Sequence, residues 1–449
     1  MHDLYYTAIL KLCILPFIKN RYNIIVKTSV NQNTMTKITK NIVVVGAGFG
    51  GVTAALNLAK KIESLKNDYE IILIDRRHHQ LYAPALYEIA SIPRENVADI
   101  SLKSSVLIPI ADIVKNKPIK FVCDELAGLD ARNKRIFLKN TGELKYEFLI
   151  LALGSETNYF DIPGLKEYGY PLKTFDDGVR LRNAFENMVK GRDGIRVVVG
   201  GAGASGVELA AEFVNFVCDL KQKVLDHQKK CDVRFTLAEG SPEILPGFEP
   251  WVIDKAKKRL AQLGIKIKTN KIISSVSKNE IVFNDGSKEN YDILVWTGGV
   301  KGPEILRNFS LPLSNKDSIV INEYLGVQDR NGNIFAIGDN STLVNPATGK
   351  SLIWNVPVAE AEGRLVAKNI IREILGKPKK KFIPMKKYPF ILAVGKKYAI
   401  ADLVFIKFSG FLGWLLKQLV ELRYLLFILP PGKALETWFK GLKYFSSND

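Results

Sequence analysis

The chain has 449 residues, 47% of them apolar and 24% charged, enough to bury the cores of two or three domains and too apolar for a disordered protein. Its formal charge of +18 points to a negatively charged partner surface. Four cysteines, none spaced C-x-x-C, exclude a disulfide scaffold and a close dithiol redox pair, and no run of 18 uncharged apolar residues exists to span a bilayer.

Residues 1–37 read as an extension ahead of the fold, with Met35 as an alternative start. Folding is expected to begin near Thr39, with the apolar run Asn41–Val45 leading into Gly46-Ala-Gly48-Phe49-Gly50-Gly51 and then a helical pattern through Val52, Ala55, Leu56 and Leu58. A second run, Glu70–Ile74, ends at Asp75. Strand, glycine turn, helix, strand and acid make a dinucleotide-binding unit. The same grammar recurs 155 residues on: Arg196–Val199, Gly201-Ala-Gly203-Ala204-Ser205-Gly206, a helix, then Asp232–Leu237 and Glu239. One such turn is weak evidence. Two complete units are strong evidence.

In each unit the first glycine permits a tight turn, the second lets the backbone approach a pyrophosphate, and the third lets the helix pack on its strand. The helix N-terminus then holds the phosphates. Asp75 and Glu239 are placed to accept hydrogen bonds from an adenosine ribose, and a carboxylate at Glu239 repels a 2′-phosphate, so NADH is expected over NADPH. The alternative is that both acids merely end strands in solvent. Further buried strands are expected at Phe148–Gly154, Asp292–Gly299 and Asn333–Asp339, the last ending in Gly338-Asp339. A carboxylate at such a strand end suits a ligand hydroxyl.

The order GAGFGG, LALG, GGAGASGVE, WTGG, AIGD resembles the flavoprotein oxidoreductases with two dinucleotide domains, which are glutathione-reductase-like in fold. The run Asp75 to Tyr87, Gly206-Val-Glu208 with Glu212, Trp296 to Gly299 and the tail Phe408–Leu426 narrow the resemblance to type II NADH dehydrogenases, from about Ile42 to the end. The resemblance implies an α/β fold with two Rossmann-like domains, the second inserted in the first, and a C-terminal amphipathic membrane-binding region. Expected bounds are 38–155 with 304–385 for FAD, 156–303 for NADH and 386–449 for the tail. It places FAD against Gly46, Gly48, Phe49, Gly50, Gly51, Asp75, Arg76, Val122, Ala152, Gly154, Gly338 and Asp339. It places NADH against Gly201, Gly203, Ala204, Ser205, Gly206, Glu208, Glu239, Thr297 and Gly298. It assigns catalytic roles to Glu208 and Glu212 near the nicotinamide and to Glu360 and Lys397 (or Lys396) near a membrane quinone. No metal is implied.

Three residues depart from that family. Gln80 stands where it usually has histidine, Tyr82 where it has phenylalanine, and Glu360 where it has glutamine. Either Glu360 donates a proton to the quinone or the acceptor differs. Disulfide-using and sulfide-oxidising relatives are excluded by cysteine placement, and each cysteine is read as a small buried apolar residue. The tail from Lys377 carries 14 Lys/Arg against 4 Asp/Glu. Phe408, Phe411, Leu412, Leu415, Leu419, Leu422 and Leu426 are expected to form an apolar stripe, with Lys417 and Glu421 expected to pair on the opposite face. A helix broken at Pro430-Pro431 and a second amphipathic stretch point to an anionic membrane surface, peripherally on the cytoplasmic side, or to a homodimer interface, and not to nucleic acid. The rival activity is a soluble NAD(P)H-dependent reductase of a ferredoxin-like protein; a slow flavin-binding signalling protein is a third reading.

Overall fold

The computed structural model describes residues 40–62, 68–94, 99–189, 194–224, 232–328, 332–345 and 349–445, so the expectation for residues 1–37 lies outside them. The first unit runs β1 (Lys40–Val45), α1 (Phe49–Ile62), β2 (Tyr69–Asp75), β3 (Ile119–Cys123) and β4 (Phe148–Leu151). The second runs β5 (Gly169–Pro171), α2 (Phe175–Val189), β6 (Ile195–Gly200), α3 (Ala204–Val224), β7 (Val233–Ala238), β8 (Lys266–Lys268) and β9 (Ile293–Trp296). The chain then returns through β10 (Ile334–Ala336) and α4 (Val356–Ile374) to the tail: β11 (Phe390–Ala393), β12 (Ala399–Asp402), β13 (Lys407–Gly410), α5 (Phe411–Ile428) and α6 (Pro431–Phe445).

Two five-stranded parallel sheets result, in the orders β10-β4-β1-β2-β3 and β5-β9-β6-β7-β8. All the strands of the second lie in sequence between β4 and β10, so the second unit is inserted in the first. The near-continuous Val/Ile/Leu character of β1, β4 and β9 follows from burial on both faces: Ile42 to Val45 and Phe148 to Leu151 are buried throughout. Register brings Val45 level with Ile74 and Leu151, which lines up the carboxyl ends of β2, β1, β4 and β10 along one edge. Ligands of open α/β sheets bind at that edge.

The tail turns a mixed side of α5 inward, polar residues among apolar ones; of the expected apolar stripe, Phe408 lies on β13 and Leu426 packs against the core. On α5 the buried residues are Gly413, Gln418, Glu421, Tyr424, Leu425 and Ile428. Phe411, Leu412 (64% exposed), Leu415, Leu419 and Val420 face out, and Phe405 (88% exposed), Ile406 and, from α6, Leu435 and Phe439 are exposed as well. No described helix is long and apolar enough to cross a membrane. The expected Lys417–Glu421 pair is corrected: Lys417 Nζ donates to Glu88 on the short helix Leu86–Ala90 and lies 5.1 Å from the Tyr87 ring centroid. The reason is packing, since Glu88 approaches the buried side of α5 from outside the helix. A second correction concerns Cys218, which is disulfide-bonded rather than a free packing thiol. Cys123 is free, half-buried on β3, and burial raises its pKa.

Candidate functional site

The two glycine turns are built alike. Gly46 and Gly201 hold φ of +105° and +98°, a region that L side chains rarely adopt. A Cβ at Gly51 or Gly206 would lie 1.8 or 2.0 Å from the carbonyl oxygen of Gly46 or Gly201, so each helix sits directly on its turn. A Cβ at Gly48 or Gly203 would meet nothing within 4 Å. That open space lies beside the N-termini of α1 and α3, where backbone N–H groups lack intrahelical partners. A pyrophosphate fits both cradles.

The two acids also act alike. Asp75 Oδ2 accepts from Ala47 N (2.7 Å) and Oδ1 from Arg77 N (2.9 Å). Glu239 Oε2 accepts from Ala202 N (2.7 Å) and Oε1 from Ser241 N (2.9 Å). Neither acid merely ends a strand in solvent: each closes its glycine turn with charge-assisted bonds worth about 1.5–3 kcal/mol apiece. Each oxygen keeps a second lone pair for a ribose hydroxyl. Arg76 instead pairs with Glu125 at 3.4 Å, in solvent. Val122 stands level with Ile74 beside Asp75, and Ala152 backs the first turn, its carbonyl 2.1 Å from a Cβ at Gly46. Thr297 Oγ1 donates to the carbonyls of Gly200 and Gly201, joining the WTGG turn to the second cradle.

At the far end of the first sheet edge, Gly154 faces open space and Ser155 Oγ donates to Asp339 Oδ2 at 2.9 Å. Lys173 Nζ donates to Ser155 Oγ at 2.7 Å and lies 3.9 Å from Asp339. Behind them, buried Glu362 of α4 accepts from Gly338 N at 2.6 Å. Sequence reasoning singled out neither Lys173 nor Glu362. A readable signal existed for the first: Thr174-x-x-Asp177 is a capping box, with Thr174 N and Lys173 N donating to Asp177 Oδ2 and Asp177 N donating to Thr174 Oγ1.

Burial raises Glu362 to about 8, with the Gly338 N–H opposing and Asp339 adding to the shift. The folded state therefore holds a proton that the unfolded chain releases near its ordinary 4.5. The stability this contributes is full below that value and lost as pH rises through about 8. Glu362→Gln preserves the neutral form, so its melting temperature is expected to fall less than the wild type's between about pH 5 and 8.5. Parallel melting curves across that range would show that Glu362 carries no such proton.

The three residues that depart from the expected pattern converge on the tail. Gln80 Nε2 donates to Tyr424 Oη at 2.5 Å, and Tyr82 and Tyr424 lie 5.9 Å apart, both touching Phe49. Glu360 is buried; its Oε2 accepts from Arg364 (3.1 Å) and from Arg423 of α5 (3.4 Å). Gln80 Oε1 and Glu360 Oε1 are buried without a hydrogen-bond partner. A seam of acids continues along the inner side of α5. Glu208 accepts from Ala393 N at 3.3 Å and is raised to about 8 by burial, with Lys417 opposing; Glu421 is raised to about 7 by burial and Glu88. Burial works against the Lys417 charge, yet Glu88 and Glu421 raise its pKa. Glu212 lines a small cleft with Glu88, Lys396, Trp414 and Gln418. Lys397 is not brought into that cleft; it is exposed, 5.9 Å from the Trp414 ring centroid.

Residues 40–363 match the model of the pyridine nucleotide-disulphide oxidoreductase family. The chain belongs to that family. Among its relatives is the demethylphylloquinone reductase NdbB of Synechocystis, 27% identical over 86% of this chain and 93% of that protein. The type II NADH:quinone oxidoreductase of Staphylococcus aureus is 28% identical over 78% and 86% of the two chains. In fold, the chain resembles NDH2 from Plasmodium falciparum solved in complex with NADH, with a TM-score of 0.76 at 20% identity over 91% of this chain and 99% of that one.

Proposed function

We propose that this flavoprotein transfers electrons from NADH through FAD to a quinone at a membrane surface. The observation that carries the reading is the pair of glycine turns, each closed by its own carboxylate and one unit inserted in the other. A chain with two such cradles is equipped for two dinucleotides at once. The names of the two curated relatives, both for quinone or phylloquinone reduction, support the acceptor.

In this reading Gly46 to Gly51, Asp75, Val122, Ala152, Gly154, Gly338 and Asp339 hold FAD, and Gly201 to Gly206, Glu239, Thr297 and Gly298 hold NADH. The chain's task is orientation, charge placement and exclusion of water. Bound flavin supplies the capacity to accept a hydride and to give the electrons to a second partner. Quinone reduction by NADH consumes one proton from solvent per turnover. Glu208 and Glu421, at about 8 and about 7, bind and release a proton near neutrality along the inner side of α5. Glu360, with Gln80 and Tyr424, marks the acceptor end, where α4 meets the tail.

The exposed apolar side of α5 favours lipid over an acidic protein as the tail's partner, since such a patch is costly in water and the same tail segment carries the exposed Lys397, Lys407, Lys433 and Lys443. In this reading the enzyme sits at the membrane periphery, on the cytoplasmic side. The test is direct: purified protein should show a flavin spectrum that NADH bleaches and a soluble quinone restores. NADPH should act at least ~10-fold more weakly, because Glu239 repels the added phosphate. A flavin that NADH fails to bleach would overturn the assignment.

A further inference from the structure

The geometry points to Lys173 as the residue that holds a positive charge at the flavin end of the first cradle and so sets the redox preference of the bound FAD. This inference rests on the proposal that the first unit binds FAD.

Sheet order gives the direction of the cofactor. Asp75, at the end of β2, marks the adenosine side, and the glycine turn after β1 marks the pyrophosphate. The next strands along the same edge are β4 and β10, ending at Gly154 and Gly338-Asp339. A dinucleotide laid from β2 across β1 therefore carries its flavin half over β4 and β10, where Gly154 faces open space. The cluster Lys173–Ser155–Asp339 stands there.

Lys173 is held, not merely near. Its backbone N–H is fixed by Asp177 at the start of α2, and its ammonium is held by Ser155 Oγ, which also binds Asp339. The side chain is half-buried, and burial lowers its pKa against the pull of Asp339. A cation desolvated on the cofactor's edge acts through a lower effective dielectric than one in water. Glu362, next to Asp339, holds its proton near neutral pH, and Asp339 is the carboxylate whose charge acts on the Lys173 ammonium.

The sign of the effect follows. Two-electron reduction adds negative charge to the isoalloxazine ring, which a neighbouring ammonium stabilises. Without Lys173 the negative charge of Asp339 is left unopposed at that end, which disfavours the reduced form. Lys173 touches neither the nicotinamide cradle nor the acceptor end, so its removal should appear first in the flavin's potential.

The experiment is spectroelectrochemical titration of the FAD-loaded wild type, Lys173→Met, Lys173→Gln and Lys173→Arg. The two neutral variants should lose at least ~10-fold of the preference for reduced over oxidised flavin, a shift of ~30 mV to more negative potential for a two-electron couple. Lys173→Arg, which keeps the charge, should remain within ~3-fold of wild type. Loaded neutral variants with an unchanged potential would overturn the inference. So would an arginine variant shifted as far as the methionine one, because packing and not charge would then be responsible. Wild-type protein that binds no FAD would instead overturn the assignment of the first cradle.

Discussion

Gly203→Val is expected to lower the efficiency of NADH-driven flavin bleaching by roughly 100-fold or more while leaving the flavin spectrum and the melting temperature close to wild type. The argument rests on where the added atoms would go. A Cβ at Gly203 meets nothing within 4 Å, so the fold accommodates it. That same space is where a pyrophosphate must lie to reach the N–H groups opening α3. Losing two charge-assisted bonds, at about 1.5–3 kcal/mol each, accounts for a loss on the order of 10² to 10⁴. Gly206→Val is the contrast: its Cβ would sit 2.0 Å from the Gly201 carbonyl and 2.7 Å from Thr297 Oγ1, so stability should fall along with activity. Stopped-flow bleaching and thermal melting of the two variants separate the cases. Normal NADH reduction in Gly203→Val would show that the second cradle does not bind the nucleotide.

The combined change Leu412→Glu, Leu415→Glu and Leu419→Glu is expected to lower binding to anionic vesicles by at least ~100-fold. NADH turnover with a water-soluble quinone should stay within about twofold. The three leucines are exposed on one side of α5 and touch none of the cradles. Burying a leucine fully is worth about 1.5–3 kcal/mol, so even half-burial of three side chains in lipid gives several kcal/mol. Nearby basic residues add about 1 kcal/mol each on anionic lipid, so neutral vesicles should bind the wild type more weakly. If the variant still floats with vesicles, the exposed side of α5 is not the membrane address. If vesicle binding is unchanged and light scattering instead shows a smaller oligomer, that side joins two copies of the chain.

Much of the cradle chemistry was legible in the sequence because it is local. A glycine turn needs its glycines at fixed spacing, and the acid follows one strand later. The expectation of one unit inserted in the other agrees with the sheet orders, since β10 returns to pair with β4 after the whole second sheet. The disulfide at Cys218 is not legible in the sequence, because its partner is set by approach in space, which spacing along a chain of this length does not report.

The amino-acid sequence alone determined that there are two dinucleotide cradles, which acids close them and that the tail has two unlike faces. Each follows from side-chain type and periodicity within a short stretch. Tertiary structure decided what depends on which segments meet. A helix period does not say which polar residues turn inward; Lys417 and Tyr424 of α5 are held inward because Glu88 and Gln80 meet them there. Likewise Lys173 and Ser155, 18 residues apart, and Asp339, 184 residues beyond Ser155, become one cluster only when the sheet edges align. Burial, which pushes Glu208, Glu362 and Glu421 toward neutral pH, is also a property of the assembled fold and of no single segment.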